Sequence, residues 1–187
     1  MQITALEIPE VKIIQPRRIG DHRGFFSETY KKSVLRDSGL DIDFIQDNHS
    51  MSAEVGTVRG LHFQSPPYAQ NKLVRVTRGR IVDVAVDLRR GSPTYGRHVM
   101  AELSAENWMQ ILVPIGFAHG FMTLEPDTEV LYKVCSPYSA SHDLGVAWND
   151  PDIGIVWPAV SSRPLLSDKD TKQPSLATLI SPFEYRP

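Results

Sequence analysis

Two glycines, Gly56 and Gly79, bound a segment that carries three polar residues suited to chemistry. His62 follows Gly56 by six positions, Gln64 comes two positions later, and Lys72 precedes Gly79 by seven. A divalent cation prefers neutral imidazole and anionic oxygen, and an ammonium group at a ligand position repels it. An imidazole beside a cationic donor suits proton transfer next to a developing negative charge instead.

A second motif downstream adds another imidazole. Residues 113–121 read VPIGFAHGF, in which Pro-x-Gly-x-x-His ends at His119. The two motifs together resemble the metal-binding signature of cupins, except that Gln64 and Lys72 stand where a metal-dependent cupin has a second His and a Glu. The resemblance implies that these positions converge inside a barrel. We therefore expect a cupin-type barrel with His, His, Lys and Gln at its mouth and with no metal or other cofactor.

Short strands separated by turns dominate the sequence around these motifs. Residues 72–89 alternate apolar and polar side chains as far as Arg78 and Gly79 and then continue as a Val/Ile run. This pattern predicts a hairpin with a half-buried first arm and a more buried second arm. Further strands are predicted at 58–64, 98–103, 110–115, 118–124 and 129–135. Spacings of this kind favour an all-β jelly-roll or β-sandwich barrel.

Helices are predicted to be few and short. One is expected over 27–39, with Ser27 as a possible cap, and a weaker one around 175–180. Fourteen prolines, several of them after residue 136, suggest a C-terminal segment that wraps the barrel rather than a second domain. We therefore predict one domain over residues 1–187, of cupin type.

Composition bounds the possible partners. The 20 Lys and Arg against 22 Asp and Glu give a formal net charge of −2, which argues against nucleic acid or an anionic membrane as a partner. A single cysteine, Cys135, excludes an internal disulfide and fits a reducing compartment. The N-terminal residues lack a signal-peptide pattern, so we expect a cytoplasmic protein.

The candidate residues also have purely structural interpretations. Within the strand 58–64, strict alternation places Arg59 and His62 on opposite faces. From local sequence alone, His62 could be a hydrogen-bonded histidine of the barrel and His119 a histidine in a turn. Lys72 could be a strand-edge lysine that extends to solvent. Tyr132 could be a core aromatic residue and Asp170 a surface carboxylate.

Longer strings resolve these alternatives through a resemblance. The strings are DHRGFFSETY (21–30), QDNHSMS (46–52), GTVRGLHFQ (56–64), KLVRVTRGRIVDVAVDLRRGSPTYG (72–96), GFAHGF (116–121), WNDPDIGIVWP (148–158) and LLSDKD (165–170). They closely resemble dTDP-4-dehydrorhamnose 3,5-epimerases, in that family's order and across about residues 9 to 170. The resemblance implies a metal-independent cupin-type homodimer. It also implies epimerisation of dTDP-4-dehydro-6-deoxy-D-glucose at C3 and C5, in dTDP-L-rhamnose synthesis.

The resemblance also implies roles for individual residues. His62 is similar to the general base and Asp170 to its orienting partner, while Tyr132 matches the acid on the opposite face of the sugar. Lys72 and His119 match the groups that hold the sugar and its C4 oxygen. Contacts to nucleotide and diphosphate are implied for Arg23, Glu28, Gln46, Asp47, Asn48, Arg59, Asp143 and Lys169, and stacking on thymine for Tyr138. In this family the N-terminal region exchanges between subunits, so Arg23 and Glu28 are expected to serve the neighbour's site.

Three other functions compete with this interpretation. A metal-dependent cupin oxygenase is disfavoured by Gln64 and Lys72, for the reasons of ligand chemistry given above. A non-catalytic nucleotide-sugar-binding cupin is disfavoured by the presence of all three catalytic residue types. An epimerase that acts at one carbon only stays open, because some relatives of this family epimerise at a single carbon.

Overall fold

The computed structural model describes residues 1–186 and contains two antiparallel sheets packed face to face. One sheet has six strands in the order β1-β2-β10-β7-β12-β5, and the other has five in the order β13-β6-β11-β8-β9. A separate hairpin pairs β3 with β4. The strands are β1 (Gln2–Ala5), β2 (Lys12–Gln15), β3 (Ile19–Asp21), β4 (Gly24–Phe26), β5 (Gln46–Ser52), β6 (Val58–Gln64), β7 (Lys72–Arg78), β8 (Arg80–Asp87), β9 (His98–Ser104), β10 (Gln110–Val113), β11 (Phe117–Thr123), β12 (Thr128–Val134) and β13 (Asp143–Gly145). The predicted all-β sandwich is confirmed.

The helices are shorter than the sequence predicted. The helix α1 spans Lys32–Asp37, five residues later than the predicted start, and a 3-10 helix spans Asp170–Lys172. Ser27 is not the cap, because the N-cap position is Lys31. The Ser27 hydroxyl instead accepts a hydrogen bond from the indole of Trp108 (3.0 Å). The helix expected at 175–180 is wrong, since that stretch forms only a turn. None of the helices within residues 1–186 has the length and apolar character to cross a bilayer.

The Val/Ile run of β8 is explained by burial on both of its faces. One face packs with the other sheet in the main core, where Ile81 and Ala85 lie. The other face, with Val84 and Val86, is covered by C-terminal residues that include Phe183. Each fully buried aliphatic side chain contributes about 1.5–3 kcal/mol relative to exposure. The proline-rich C-terminal segment therefore packs over the outside of the five-stranded sheet.

The hairpin predicted for 72–89 is wrong, although its gradient of burial is confirmed. β7 pairs with β10 and β12, whereas β8 pairs with β9 and β11 in the other sheet. The chain therefore turns a corner from one sheet to the other at Gly79, where φ is 74°. A Cβ on Gly79 would lie 2.3 Å from Oγ1 of Thr128, so the close approach requires glycine. Alternation alone does not distinguish this corner from a hairpin.

A β-bulge in β6 overturns the predicted facing of Arg59. His62 of β6 pairs with His119 of β11, and Arg59 pairs with Phe121. Three positions of β6 therefore lie opposite only two positions of β11. The extra residue of β6 shifts the alternation, so that Arg59 and His62 face the same side. Gly60 lies in this bulge with φ 139°, and a Cβ there would lie 2.6 Å from Cα of Gly120.

Candidate active site

The centre of the site is a hydrogen-bonded pair, His62 and Asp170. The Nε2 atom of His62 lies 2.5 Å from Oδ1 of Asp170, whose side chain is only 3% exposed. Burial raises the pKa of Asp170, but hydrogen bonds led by the one from His62 outweigh it and hold this pKa below its usual value. The carboxylate is therefore charged, accepts the Nε2 proton, and leaves Nδ1 of His62 as the nitrogen that can take a proton.

The pair opens into a cavity of about 170 Å³ between the two sheets. Its lining is Ser50, Arg59, His62, Lys72, His119, Phe121, Tyr132 and Asp170. His62 comes from β6 in the five-stranded sheet, whereas Tyr132 comes from β12 in the six-stranded sheet. Burial raises the pKa of the Tyr132 phenol, so this group keeps its proton at neutral pH. A hydrogen-bonded imidazole and a protonated phenol therefore stand on opposite walls of one cavity.

Lys72 is one of two cationic residues that line this cavity, the other being Arg59. Burial lowers the pKa of Lys72 to about 8, although the carboxylates of Asp143 and Asp83 act in the opposite direction. Within residues 1–186 its ammonium group forms no hydrogen bond or ion pair with another side chain. Lys72 is therefore available to an anionic oxygen bound in the cavity.

A second His–Asp pair, not predicted from the sequence, lies beside Lys72. The Nε2 atom of His119 lies 2.9 Å from Oδ2 of Asp83, which is fully buried. The other oxygen of Asp83, Oδ1, has no hydrogen-bond partner among the described residues. Burial raises the pKa of Asp83, while the electrostatic interaction and the hydrogen bond with His119 act against this shift. The sequence contained one indication of this pair, because Asp83 is an aspartate inside the otherwise apolar Val/Ile run of β8.

The edge strand β5 contributes two polar groups on the same side as the cavity residue Ser50. Gln46 donates a hydrogen bond to Asn48 (2.8 Å), which places both on one face of β5. Asp47 lies on the opposite face, where its carboxylate pairs with Lys133 at 2.8 Å. Alternation along the strand thus separates Asp47 from the other two. The geometry brings Gln46 and Asn48, but not Asp47, to the side of the cavity.

A cluster of Tyr138, Asp143 and Lys169 adjoins the catalytic pair along the chain. The Tyr138 hydroxyl donates to Oδ2 of Asp143 (3.1 Å), and the Lys169 ammonium lies 2.5 Å from the same oxygen. Tyr138 is 62% exposed, so its ring is free to stack on a ligand. Lys169 directly precedes Asp170, which connects this cluster to His62.

Arg59 lies at the exposed border of the cavity and is tied to β5. Its Nε donates to Oγ of Ser52 (3.0 Å), and its terminal nitrogen donates to the carbonyl of Met51 (3.0 Å). These bonds fix the guanidinium beside His62, at a position suited to a phosphate.

Arg23 and Glu28 lie apart from this cavity. The Arg23 side chain, in the turn between β3 and β4, is 78% exposed and pairs only with Asp21 (2.6 Å). Glu28 pairs with Lys31 at 3.5 Å on the surface. Neither residue lines the cavity of its own chain.

Gln64 is not at the mouth of the barrel, which corrects the prediction. It is 4% exposed, and its amide group hydrogen-bonds the backbone of Tyr68, Pro137 and Ser139. No group of three or more His, Cys, Asp and Glu side chains in residues 1–186 is arranged to hold a metal ion.

A β-sandwich with an imidazole–carboxylate pair and a phenol on facing walls of one cavity defines a cupin-type protein whose site is suited to proton transfer. The family model described as dTDP-4-dehydrorhamnose 3,5-epimerase matches residues 5–178. The chain belongs to this family.

Individual relatives match over nearly the whole chain. A dTDP-4-dehydrorhamnose 3,5-epimerase of Sinorhizobium fredii is 57% identical over 185 residues, which are 99% of this chain and 94% of the relative. The crystal structure of the Bacillus anthracis dTDP-4-dehydrorhamnose 3,5-epimerase, with TDP and PPi bound, is 52% identical, with a TM-score of 0.89 and coverage of 93% of this chain and 98% of that one. The Legionella pneumophila dTDP-6-deoxy-D-glucose-3,5-epimerase, in complex with dTDP-4-keto-L-rhamnose, is 39% identical, with a TM-score of 0.95 and coverage of 100% and 99%.

The lowered pKa of Lys72 can be measured directly. In protein labelled with ¹³C-lysine, the Lys72 side-chain signal should titrate near pH 8, well below the surface lysines, because burial disfavours its charge. Asp83→Asn removes a nearby negative charge and should lower the pKa of Lys72 further.

Asp47→Asn is the matched control, since Asp47 is paired with Lys133 on the other face of β5. It should leave the titration of Lys72 unchanged, and Lys72→Arg should remove the assigned signal. A Lys72 titration at the value of an exposed lysine, or one indifferent to Asp83→Asn, would contradict this picture of the cavity.

Proposed function

We propose that the protein is a dTDP-4-dehydrorhamnose 3,5-epimerase, an isomerase that converts dTDP-4-dehydro-6-deoxy-D-glucose to dTDP-4-dehydro-L-rhamnose in dTDP-L-rhamnose biosynthesis. The observation that carries the proposal is the cavity with the His62–Asp170 pair on one wall and Tyr132 on the other. The family match and the relatives with nucleotide or nucleotide sugar bound support it.

The first step is proton removal next to a ketone. The hydrogens at C3 and C5 both flank the C4 carbonyl, and each becomes acidic when the electrons left behind move onto the C4 oxygen as an enolate. Nδ1 of His62 takes the proton, and the Asp170 carboxylate stabilises the imidazolium that forms. The Lys72 ammonium stabilises the enolate oxygen, a task for which a preorganised donor is well suited. His119, paired with Asp83 through Nε2, helps to hold the sugar by offering Nδ1 to one of its hydroxyl groups.

The second step returns a proton to the opposite face of the sugar ring. Tyr132 supplies it, because its phenol is on the facing wall and its raised pKa keeps it protonated. Inversion results because the two protons cross opposite faces. The same base and acid serve C3 and C5 when the ring presents each carbon in turn.

The nucleotide part of the substrate is assigned to residues around the border of the cavity. Arg59 and Lys169 supply positive charge for the diphosphate, and Tyr138 supplies an exposed ring for thymine. Asp143 orders two of these groups through its hydrogen bonds to Tyr138 and Lys169. Gln46 and Asn48 of β5 supply side-chain amides that can hydrogen-bond the nucleotide. The position of Asp47 on the other face gives no support to a role in binding.

Donor chemistry supports a reaction without a metal or other cofactor. Lys72 places a positive charge where a metal-dependent cupin has an anionic ligand. The side-chain amide of Gln64 is hydrogen-bonded to backbone groups and is not available as a ligand. The positive charge of Lys72 stabilises the enolate oxygen, as a bound metal cation does in metal-dependent enzymes.

The proposal includes a single domain over residues 1–187 and a homodimer whose N-terminal regions are exchanged. The β3–β4 hairpin leaves Ile19, Phe25 and Phe26 more than half exposed. Large exposed apolar side chains grouped in this way favour a contact with another chain. In such a dimer Arg23 and Glu28 serve the neighbour's cavity. The free thiol of Cys135 fits a reducing compartment, so the proposed location is the cytoplasm.

Deuterium incorporation from solvent tests the reaction and the base together. In D₂O the wild-type protein should introduce deuterium at both C3 and C5 of dTDP-4-dehydro-6-deoxy-D-glucose, and His62→Asn should slow both exchanges by about 10²–10⁴-fold or more. NMR of the recovered sugar distinguishes the two carbons. The control is His49→Asn, which removes an exposed imidazole on the outer face of β5.

Each alternative outcome has a separate meaning. Exchange at only one carbon in the wild type would identify a single-carbon epimerase, and no exchange at all would identify a binding protein. Exchange that survives His62→Asn at either carbon would require a second base.

Tyr132→Phe separates proton removal from proton return. The variant removes one hydroxyl and keeps the ring, so the melting temperature should stay close to the wild-type value. His62 can still exchange the C3 and C5 protons on the face it attacks, while net inversion should fall by about 10²–10⁴-fold. Tyr95→Phe, which changes an exposed tyrosine elsewhere, is the control. Wild-type inversion in Tyr132→Phe would exclude this residue as the acid.

Subunit mixing tests the role of Arg23 across the dimer. His62→Asn and Arg23→Ala proteins should each be poorly active alone. After unfolding and refolding together, roughly a quarter of the wild-type activity should return, since half of the dimers are mixed and each has one complete site. Lack of recovery, with mixed dimers verified by mass spectrometry, would place Arg23 in the site of its own chain, and a monomer in solution would exclude the exchange.

A further inference from the structure

We propose that Gln64 is a positioning residue for nucleotide recognition, because its buried amide holds the loop that carries Tyr138. This loop, residues 135–142, connects β12 to β13 and is named the Tyr138 loop here. The inference rests on the proposed function for the identity of the ligand. It assigns a task to a residue that contacts neither the sugar nor the catalytic groups.

The amide of Gln64 fastens the backbone on both sides of Tyr138. Its Nε2 donates to the carbonyl oxygen of Pro137 (3.0 Å) and to that of Tyr68 (2.7 Å), and its Oε1 accepts from the backbone N–H of Ser139 (2.7 Å). The residues before and after Tyr138 are thus tied to one side chain. Because Gln64 is buried, water does not compete for these bonds.

Other bonds hold the two ends of the Tyr138 loop, since the Gln70 amide donates to the carbonyl of Ser136 (2.7 Å) and the N–H of Ser65 donates to that of His142 (3.0 Å). Gln64 bonds the backbone on either side of Tyr138 itself. The strand that follows the loop, β13, has three residues, stands at the edge of its sheet and pairs only with β6. In that pairing Asp143 is the partner of Gln64 itself. The same position of β6 therefore anchors the loop through its side chain and begins the pairing of β13 through its backbone.

The bonds of Gln64 also fix the geometry around the diphosphate groups. Tyr138 donates to Asp143, and Lys169 pairs with the same carboxylate. A displaced loop would move the aromatic ring and alter the partner of Lys169. The catalytic pair is anchored separately, since Asp170 is held by His62 and by Ser167 in the C-terminal segment. Loss of the Gln64 amide should therefore affect binding of the nucleotide far more than proton transfer.

The experiment compares Gln64→Met, which keeps the length of the side chain and removes all three bonds, with the wild type. We expect the Kd for dTDP, measured by calorimetry, and the KM for the substrate to rise about tenfold. The kcat should stay within about threefold of the wild-type value, as it does when an interaction is equal in ground and transition states. Gln15→Met is the control, because it removes another partly buried amide that bonds a backbone carbonyl, far from the cavity.

A double-mutant cycle makes the assignment specific to Tyr138. Tyr138→Ala should weaken dTDP binding in the wild-type background but add little in the Gln64→Met background, since the ring is already misplaced. Gln64→Glu keeps the acceptor for the Ser139 N–H but sets a carboxylate against two carbonyl oxygens. It should therefore behave like Gln64→Met.

Amide hydrogen exchange on the ligand-free protein separates this inference from the proposed function. Protection of residues 136–142 should fall in Gln64→Met while protection of β7, β8 and β11 stays unchanged. This result together with an inactive wild type would refute the epimerase and keep the loop assignment. Additive losses in the cycle, a kcat-only defect, or failure of both Gln64 variants to fold would overturn the assignment and leave Gln64 as a part of the barrel's stability.

Discussion

The hydrogen bond between His62 and Asp170 joins residues 108 positions apart, and it depends on the arrangement of the C-terminal segment. Asp170 reaches the barrel because residues before it are tied to the start of β6. The N–H of Val58 donates to the carbonyl of Leu165 (2.9 Å), and the N–H of Leu165 donates to that of Gly56 (3.0 Å). The wrapping of the five-stranded sheet thus has a chemical purpose, since it delivers a buried carboxylate to a histidine on a strand. A barrel without this segment would retain the imidazole and lose the charge that orients it.

Buried charge is the second constraint on this site. Lys72, Asp83 and Asp170 are all removed from bulk water to some degree, and burial of unpaired charge opposes folding. Asp83 is the clearest case, because one of its oxygens has no partner among residues 1–186. A cavity that held only apolar side chains would be more stable and could not stabilise an enolate. The apolar core between the sheets supplies the stability that this arrangement requires.

Apolar periodicity predicted the strands β6 to β12 to within two or three residues, because each of them presents at least one face to a core. It missed β1 to β4 and β13, which have three or four residues and mostly partial or full exposure, and β5, whose sequence QDNHSMS is largely polar. The candidate catalytic residues came from family resemblance and stay a proposal, since local sequence would leave Asp170 a surface carboxylate. The predicted strand face of Arg59 and the predicted position of Gln64 at the barrel mouth were wrong, because both depend on contacts with residues distant in the sequence. A bulge shifts the alternation of β6, and a loop 73 residues away from Gln64 uses its amide.

The division of the site between two sheets makes the packing of the core a determinant of the chemistry. The proposed base, His62, comes from the five-stranded sheet, while Tyr132 and Lys72 come from the six-stranded one. The distance between His62 and Tyr132 is therefore set by the side chains that separate the sheets, and Tyr132 itself packs against that core cluster. Protein interiors are close-packed and resist changes of volume, so the gap into which a sugar ring must fit is held by residues that never touch it. The two positions at which this chain departs from a metal-binding cupin divide in the same way. Lys72 faces the cavity, where its charge can stabilise a bound anion, whereas Gln64 hydrogen-bonds the backbone and holds a loop in position.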